Sequence, residues 1–277
     1  MTTDTVRQMA KGSTPIIELR DVDVTFRTRT GSIFKPNQVR AVQNVNLALM
    51  PGETIGLVGE SGSGKSTTAN VMCGLQSPTK GQVFFNGQEV TRRTAANRRE
   101  IGRVVSVVFQ DPATALNARM VVRDQLMDPL QVHGIGEPKS RAKRVRDLIQ
   151  MVGLPTSVLD ALPGQLSGGQ RQRVAIARAL SLNPLAIIAD EPTSALDVSV
   201  RAQILNLLTD LKKELDLAMV FISHDIQTVR YVSDTIVVMN KGKVVEHGSA
   251  AQVLADPSDD YTRTLLGAAP SLLHPSK

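Results

Sequence analysis

The chain has 277 residues and a formal net charge of +6, enough length for one or two domains with a sizeable core. No apolar run approaches the roughly 20 residues that a membrane-spanning helix needs, and a single cysteine, Cys73, excludes an internal disulfide or a Cys-rich metal site. Aromatic residues are only 3% and Trp is absent, which argues against stacking platforms for single-stranded nucleic acid.

Residues 1–14 read as a flexible tail, polar and without the apolar stretch of a signal peptide, so the chain is expected to work in the cytosol. Ile17, Leu19, Val22, Val24 and Phe26 are spaced mostly by two, as on a half-buried strand. A polar loop over 28–38 leads to a second alternating run with Val45, Leu47 and Leu49. The turn at Pro51-Gly52 feeds a short buried strand over 54–58, and 67–72 reads as a helix with Cys73 on its buried face. A hairpin is expected over 82–87. Residues 104–109 form a continuous apolar run, the pattern of a strand covered on both faces.

From 111 to 180 no β-rich run occurs, and 120–132 and 141–152 carry helical periodicity. The expectation is a helical subdomain inserted into an α/β core. A second buried strand follows at 185–189, then a long amphipathic helix over 198–215 with Ile204, Leu207, Leu208 and Leu211 on one face. Strands are expected at 219–222 and 235–239, a small hairpin between Gly242 and Gly248, and short helices at 250–255 and 260–266. The domain is expected to span 15–267, with a second tail over 268–277. The basic residues, among them Arg92-Arg93, Arg98-Arg99 and those between Lys139 and Arg146, are dispersed. They read as solvated faces near phosphate or membrane rather than as a nucleic-acid surface.

The chemistry is concentrated in Gly59-Glu60-Ser61-Gly62-Ser63-Gly64-Lys65-Ser66-Thr67, a phosphate-binding loop between strand and helix. The helix's first N–H groups lack intrahelical partners and its dipole favours an anion there. Lys65 can reach β- and γ-phosphates, and the Ser66 hydroxyl can hold Mg²⁺. A second apolar strand ends in Asp190-Glu191. Asp190 is expected to hold Mg²⁺ and Glu191 to polarise an attacking water. Leu166-Ser167-Gly168-Gly169-Gln170 opens another helix, with Ser167 placed as its N-cap. By composition alone this is either an ordinary capped helix or a second anion site.

These segments together resemble the ABC-type ATPases, over about residues 16–267. Ser167, Gly168, Gly169 and Gln170 match the family's signature motif. Gln110 matches its Q-loop glutamine, Ser194-Ala195-Leu196-Asp197 its D-loop with Asp197, and His224 its switch histidine. Phe26 lies where the family has an aromatic that stacks on adenine. The resemblance implies an α/β fold of the ABC nucleotide-binding type: a P-loop core, an antiparallel β subdomain and an inserted helical subdomain. It implies ATP and Mg²⁺ as ligands, Glu191, His224 and Lys65 as catalytic groups, and Ser66, Gln110 and Asp190 as metal ligands. It also implies a head-to-tail dimer in which one chain's signature completes its partner's ATP site. His133, His247 and His274 have no comparable setting.

More narrowly, Phe109-Gln110-Asp111-Pro112, Ala115 to Arg119, Ala195 to Leu205 and the stretch Asp256-Pro257 through Tyr261-Thr262 to Pro270 resemble ATPase subunits of oligopeptide, dipeptide and nickel importers. Ala118 stands where that group usually has Pro, and a Cys-bearing extension is lacking, so no Fe–S cluster is expected. This implies a second ATPase subunit, two transmembrane permease subunits docked around 113–129, and an extracytoplasmic solute-binding protein. It places the chain on the cytoplasmic face of the membrane, without nucleic acid. Nickel or oligosaccharide import is the alternative on the same architecture. An exporter ATPase and a DNA-maintenance or translation ATPase are more distant rivals.

Overall fold

The structure is a computed structural model that describes residues 14–28, 37–90 and 94–268. Strand β1 (Ile17–Thr28) pairs antiparallel with β2 (Asn37–Leu49), and the uneven spacing of its apolar residues has a local cause. The pairing register shifts between Leu19 and Val22, where Asp21 adopts φ 50°, and Asn44 on β2 adopts φ 48°. Each left-handed residue resets the alternation, so that Leu19 and Val22 both face inward. Side chains stabilise the irregularity: the Asp21 N–H donates to Asn46 Oδ1 at 2.9 Å and the Asn44 N–H to Asp23 Oδ1 at 2.9 Å.

Strand β3 (Thr54–Val58) is buried at all five positions and runs into the phosphate loop and α1 (Lys65–Met72). Cys73 is the C-cap of α1 and packs, partly buried, against the core; its thiol bonds the Ala69 carbonyl and burial pushes it up to about 12. The hairpin β4 (Lys80–Phe85) and β5 (Gln88–Glu89) completes a four-stranded antiparallel sheet of order β2-β1-β4-β5.

Next comes α2 (Ala95–Val104), with Thr94 capping it by accepting the Asn97 N–H at 3.1 Å. This helix absorbs Val104, so the strand expected over 104–109 is shorter: β6 (Val105–Val108). Residues 109–185 then contain no strand. They fold into α3 (Pro112–Ala115), α4 (Val122–Val132), α5 (Pro138–Met151), two 3₁₀ turns and α6 (Gly168–Ala179). Leu126, Leu148, Ile149 and Val174 are shut in between these helices.

The chain returns to the sheet as β7 (Ala186–Asp190) and crosses over by α7 (Val198–Leu215) to β8 (Ala218–Ser223). The buried face of α7 is Ile204, Leu205, Leu208 and Leu211, with Leu205 in place of the expected Leu207, which is only partly covered. Helix α8 (Ile226–Val232) leads to β9 (Thr235–Asn240). Gly242 and Gly248 do not bracket a hairpin. A single strand β10 (Lys243–Ser249) lies antiparallel to β9 and contains Gly248. Helices α9 (Ala250–Ala255) and α10 (Asp260–Ala268) end the described chain.

The second sheet has six strands in the order β10-β9-β3-β8-β7-β6, parallel from β9 to β6. Among the described residues no helix is long and apolar enough to cross a membrane.

Gly56, in the middle of β3, leaves the room that α8 needs. A Cβ there would come 2.1 Å from Val229 Cγ1 and 2.5 Å from Ser233 Oγ. Gly56→Ala is therefore expected to lower the unfolding free energy by about 1–3 kcal/mol, the usual cost of overpacking. Urea denaturation measures this, and an unchanged midpoint would contradict the packing described.

Candidate functional site

The phosphate loop leaves the C-terminal end of β3 and turns directly into α1. Gly64, the N-cap, has φ 106°, and a Cβ on it would stand 2.5 Å from the Ala41 carbonyl oxygen, so the position needs glycine. The first turn of α1 carries no acidic side chain, which leaves its N–H groups to an external anion. Lys65 is 5% exposed, and its ammonium donates to the Gly59 and Glu60 carbonyl oxygens at 2.7 and 2.8 Å. Burial lowers its pKa, against the pull of Glu191, Asp190 and Glu60. The loop thus holds a desolvated cation that two neutral carbonyls satisfy only in part.

Strand β7 delivers Asp190 and Glu191 opposite this lysine. Ser66 Oγ approaches Asp190 Oδ1 at 3.5 Å. Burial raises the Asp190 carboxyl, with Ser66 and Lys65 acting the other way. A hydroxyl and a half-buried carboxylate form a hard-oxygen pair of the kind that holds Mg²⁺ when phosphates and waters supply the remaining ligands. A cation there would favour the ionised Asp190 and so oppose the desolvation that raises it.

Glu191 sits in the left-handed region at φ 45°, its N–H bonded to the Ile222 carbonyl at 3.0 Å. Its carboxylate is gripped on both sides. Gln110 Nε2 donates to Oε2 at 3.2 Å, and His224 Nδ1 shares a hydrogen bond with Oε1 at 3.1 Å. Gln110 follows β6 by two residues and His224 follows β8 directly. Ser223 Oγ accepts the Asp225 N–H, and Asp225 caps α8, which fixes the turn that carries His224.

Other sequence-derived candidates lie elsewhere. Ser167 and Gln170 form a reciprocal capping box on α6: the Ser167 N–H donates to Gln170 Oε1 at 2.9 Å and the Gln170 N–H to Ser167 Oγ at 3.2 Å. A Cβ on Gly169 would come 2.7 Å from Val200 Cγ1, so this glycine lets α6 lie against α7. Gly168 faces Leu196 more loosely. Helix α6 packs on α3, α4, α5, α7 and β6, whereas α1 packs on β1, β2 and β7. Asp197 is the exposed N-cap residue of α7, without a side-chain capping bond. Phe26 is on β1 and is 40% exposed. Ser61, Gly62 and Ser66 are exposed along the loop, Thr67 is partly covered, and Ser63 is buried.

The family model described as "ABC transporter" matches residues 42–194, more than half of the chain. The chain belongs to the ABC transporter family. Among its relatives, the glutathione import ATP-binding protein GsiA of Salmonella typhimurium is 45% identical over 257 residues. That match takes in 92% of this chain but only 41% of the relative, so the chain spans about two fifths of that protein's length. The oligopeptide transport ATP-binding protein OppF of Lactococcus lactis is 42% identical, over 93% of this chain and 81% of its own length. Among solved structures, the ATP-binding cassette MJ0796 in a dimeric post-hydrolysis state bound to ADP and Pi superposes with a TM-score of 0.74. It is 32% identical over 84% of this chain and 98% of its own. The expected fold is the observed one: a P-loop core, an antiparallel sheet and a helical subdomain.

Sequence reasoning missed what braces the loop of this ABC domain. The Gly242 N–H donates to the Ser63 carbonyl at 2.8 Å, and the Gln43 N–H to the Gly242 carbonyl at 2.7 Å. The Glu60 N–H donates to the Tyr261 hydroxyl at 2.9 Å. Glu60 and Tyr261 are 201 residues apart, and no local pattern signals such a contact.

The buried ammonium leads to a prediction. Each charged hydrogen bond contributes about 1.5–3 kcal/mol, so Lys65→Ala should weaken ATP binding at least tenfold. Calorimetric titration of the purified chain measures it, and wild-type affinity in the variant would remove Lys65 from the site.

Proposed function

We propose that this chain is the ATP-hydrolysing subunit of an ABC importer that carries peptides or peptide-like solutes. The observation that carries the reading is the grip on Glu191 by Gln110 and His224, directly across from the phosphate loop. A carboxylate held at two oxygens beside a buried lysine can take a proton from water as that water attacks a γ-phosphate. The new P–O bond forms as the bond to the ADP oxygen breaks, leaving ADP and phosphate. Lys65 and the first N–H groups of α1 stabilise the charge on the phosphates. Mg²⁺, held by Ser66, Asp190 and the amide oxygen of Gln110, would neutralise phosphate charge and draw electrons from the reacting group.

The signature residues Ser167, Gly168 and Gly169 serve the partner's site in this reading. They open the N-terminus of a second helix whose own packing is remote from the loop. Gln170 is committed to the capping box and acts by fixing that terminus. Two such helix ends facing one polyphosphate would make closure of the dimer depend on ATP. Phe26 would take the adenine ring and Asp197 would lie at the dimer seam.

The peptide class of cargo is supported by likeness over nearly the whole chain to proteins named for oligopeptide transport and glutathione import. The proposed assembly holds a second ATPase subunit, two permease subunits in the membrane, and an extracytoplasmic binding protein. The chain would sit on the cytoplasmic face.

The test is purification of the tagged chain from gently solubilised membranes of its native host. Two membrane-spanning proteins, a second ATPase and an extracytoplasmic binding protein are expected with it. Recovery of ribosomes or nucleic acid instead would overturn the transport reading and leave only the ATP site.

A further inference from the structure

The phosphate loop is held from behind as well as from inside, at one peptide unit. The Gly59 carbonyl accepts from the Lys65 ammonium at 2.7 Å, and the N–H of the same unit, that of Glu60, donates to the Tyr261 hydroxyl at 2.9 Å. Gly59 has φ 148°, and a Cβ on it would stand 2.2 Å from the Met239 carbonyl oxygen, so only glycine fits. Glycine, however, barely restricts the rotation of the peptide that follows it. The orientation of the Gly59–Glu60 unit is therefore set by what its two ends bond. One of those bonds would be given up if a nucleotide's phosphates competed for the Lys65 ammonium.

We propose that Tyr261 is a positioning residue for ATP: its hydroxyl keeps the Gly59–Glu60 peptide in the phosphate-binding form while Lys65 moves from the loop's carbonyls to the nucleotide. The proposal rests on the loop being the ATP site. Tyr261 is well placed to act as a fixed point. Its ring packs on the main core, and its N–H donates to Asp259 Oδ1 at 2.9 Å. The turn before it is tied to β10: Glu246, 9% exposed, accepts from the Ser258 N–H at 2.7 Å, the Ser258 hydroxyl at 3.0 Å and the Asp259 N–H at 3.3 Å. The start of α10 is thereby fixed to the sheet, and the tyrosine carries that fixity to the loop.

The chain has two tyrosines, and the second supplies a control. Tyr231, on α8, donates its hydroxyl to Asn206 Oδ1 at 3.0 Å and is 64% exposed. The experiment is calorimetric titration of the full chain with Mg-ATP, with turnover measured at saturating ATP. Tyr261→Phe should weaken binding about fivefold, the size of one neutral hydrogen bond. Its turnover should stay within about twofold of wild type and its melting temperature should match that of Tyr231→Phe. Tyr231→Phe should bind ATP as wild type does. Wild-type affinity in Tyr261→Phe or an equal loss in Tyr231→Phe would overturn the proposal. If the unaltered chain binds no ATP, the reading of the loop falls first and the proposal with it.

Discussion

The hydrogen bonds from the Lys65 ammonium to the Gly59 and Glu60 carbonyls are the constraint on which the site depends. A lysine at 5% exposure is costly unless its charge is met. Two carbonyls meet it incompletely, and burial holds its pKa below the ordinary value. Asp190 and Glu191 attract it without forming ion pairs with it. A polyphosphate is the partner that would satisfy the lysine fully, together with the free N–H groups at the start of α1. The glycines of the loop follow from the same demand. A side chain at Gly59 or Gly64 would collide with the Met239 or Ala41 carbonyl before the backbone could curl around an anion.

The sheet turns this local feature into a reaction site. Strands β3, β8, β7 and β6 are neighbours in that order and parallel. Their C-terminal ends lie together and supply the phosphate loop, His224, Asp190-Glu191 and Gln110 respectively. Every member of the proposed hydrolytic set thus comes from one edge of four adjacent strands, where ligands of open α/β sheets gather. Helix α6 stands apart, among the helices that link β6 to β7. Its capping box and its contact with α7 account for Ser167, Gln170 and Gly169 inside a single chain. A second molecule is needed only to explain what the open end of that helix would bind.

Much of this was legible in the sequence, for physical reasons. Strands β3, β7, β8 and β9 are buried on both faces, so they read as unbroken apolar runs with sharp ends. The long helix α7 has enough turns for its stripe to emerge, although Leu205 and Leu207 exchange roles. Helix α2 did not emerge, because Asn97-Arg98-Arg99-Glu100 is polar on every side and only Ile101 and Val104 are buried. Helix α8, seven residues long, is too short to show a period. β10 was obscured by glycines that suggest turns. Asp190, Glu191 and Lys65 announced themselves through neighbours in sequence, but the bond of Tyr261 to Glu60 exists only because β10 and α10 bring the chain's end back to its first loop.

The measurement that bears most directly on the account is ATP binding and hydrolysis by the Glu191→Gln chain, in the same preparation. Glutamine keeps the shape of the side chain but cannot take a proton from water. The account predicts that ATP is bound as by the unaltered chain while hydrolysis falls about 100-fold or more, the lower range for a general base. Hydrolysis persisting near the wild-type rate would contradict it, and the proton acceptor would have to be sought outside the grip of Gln110 and His224.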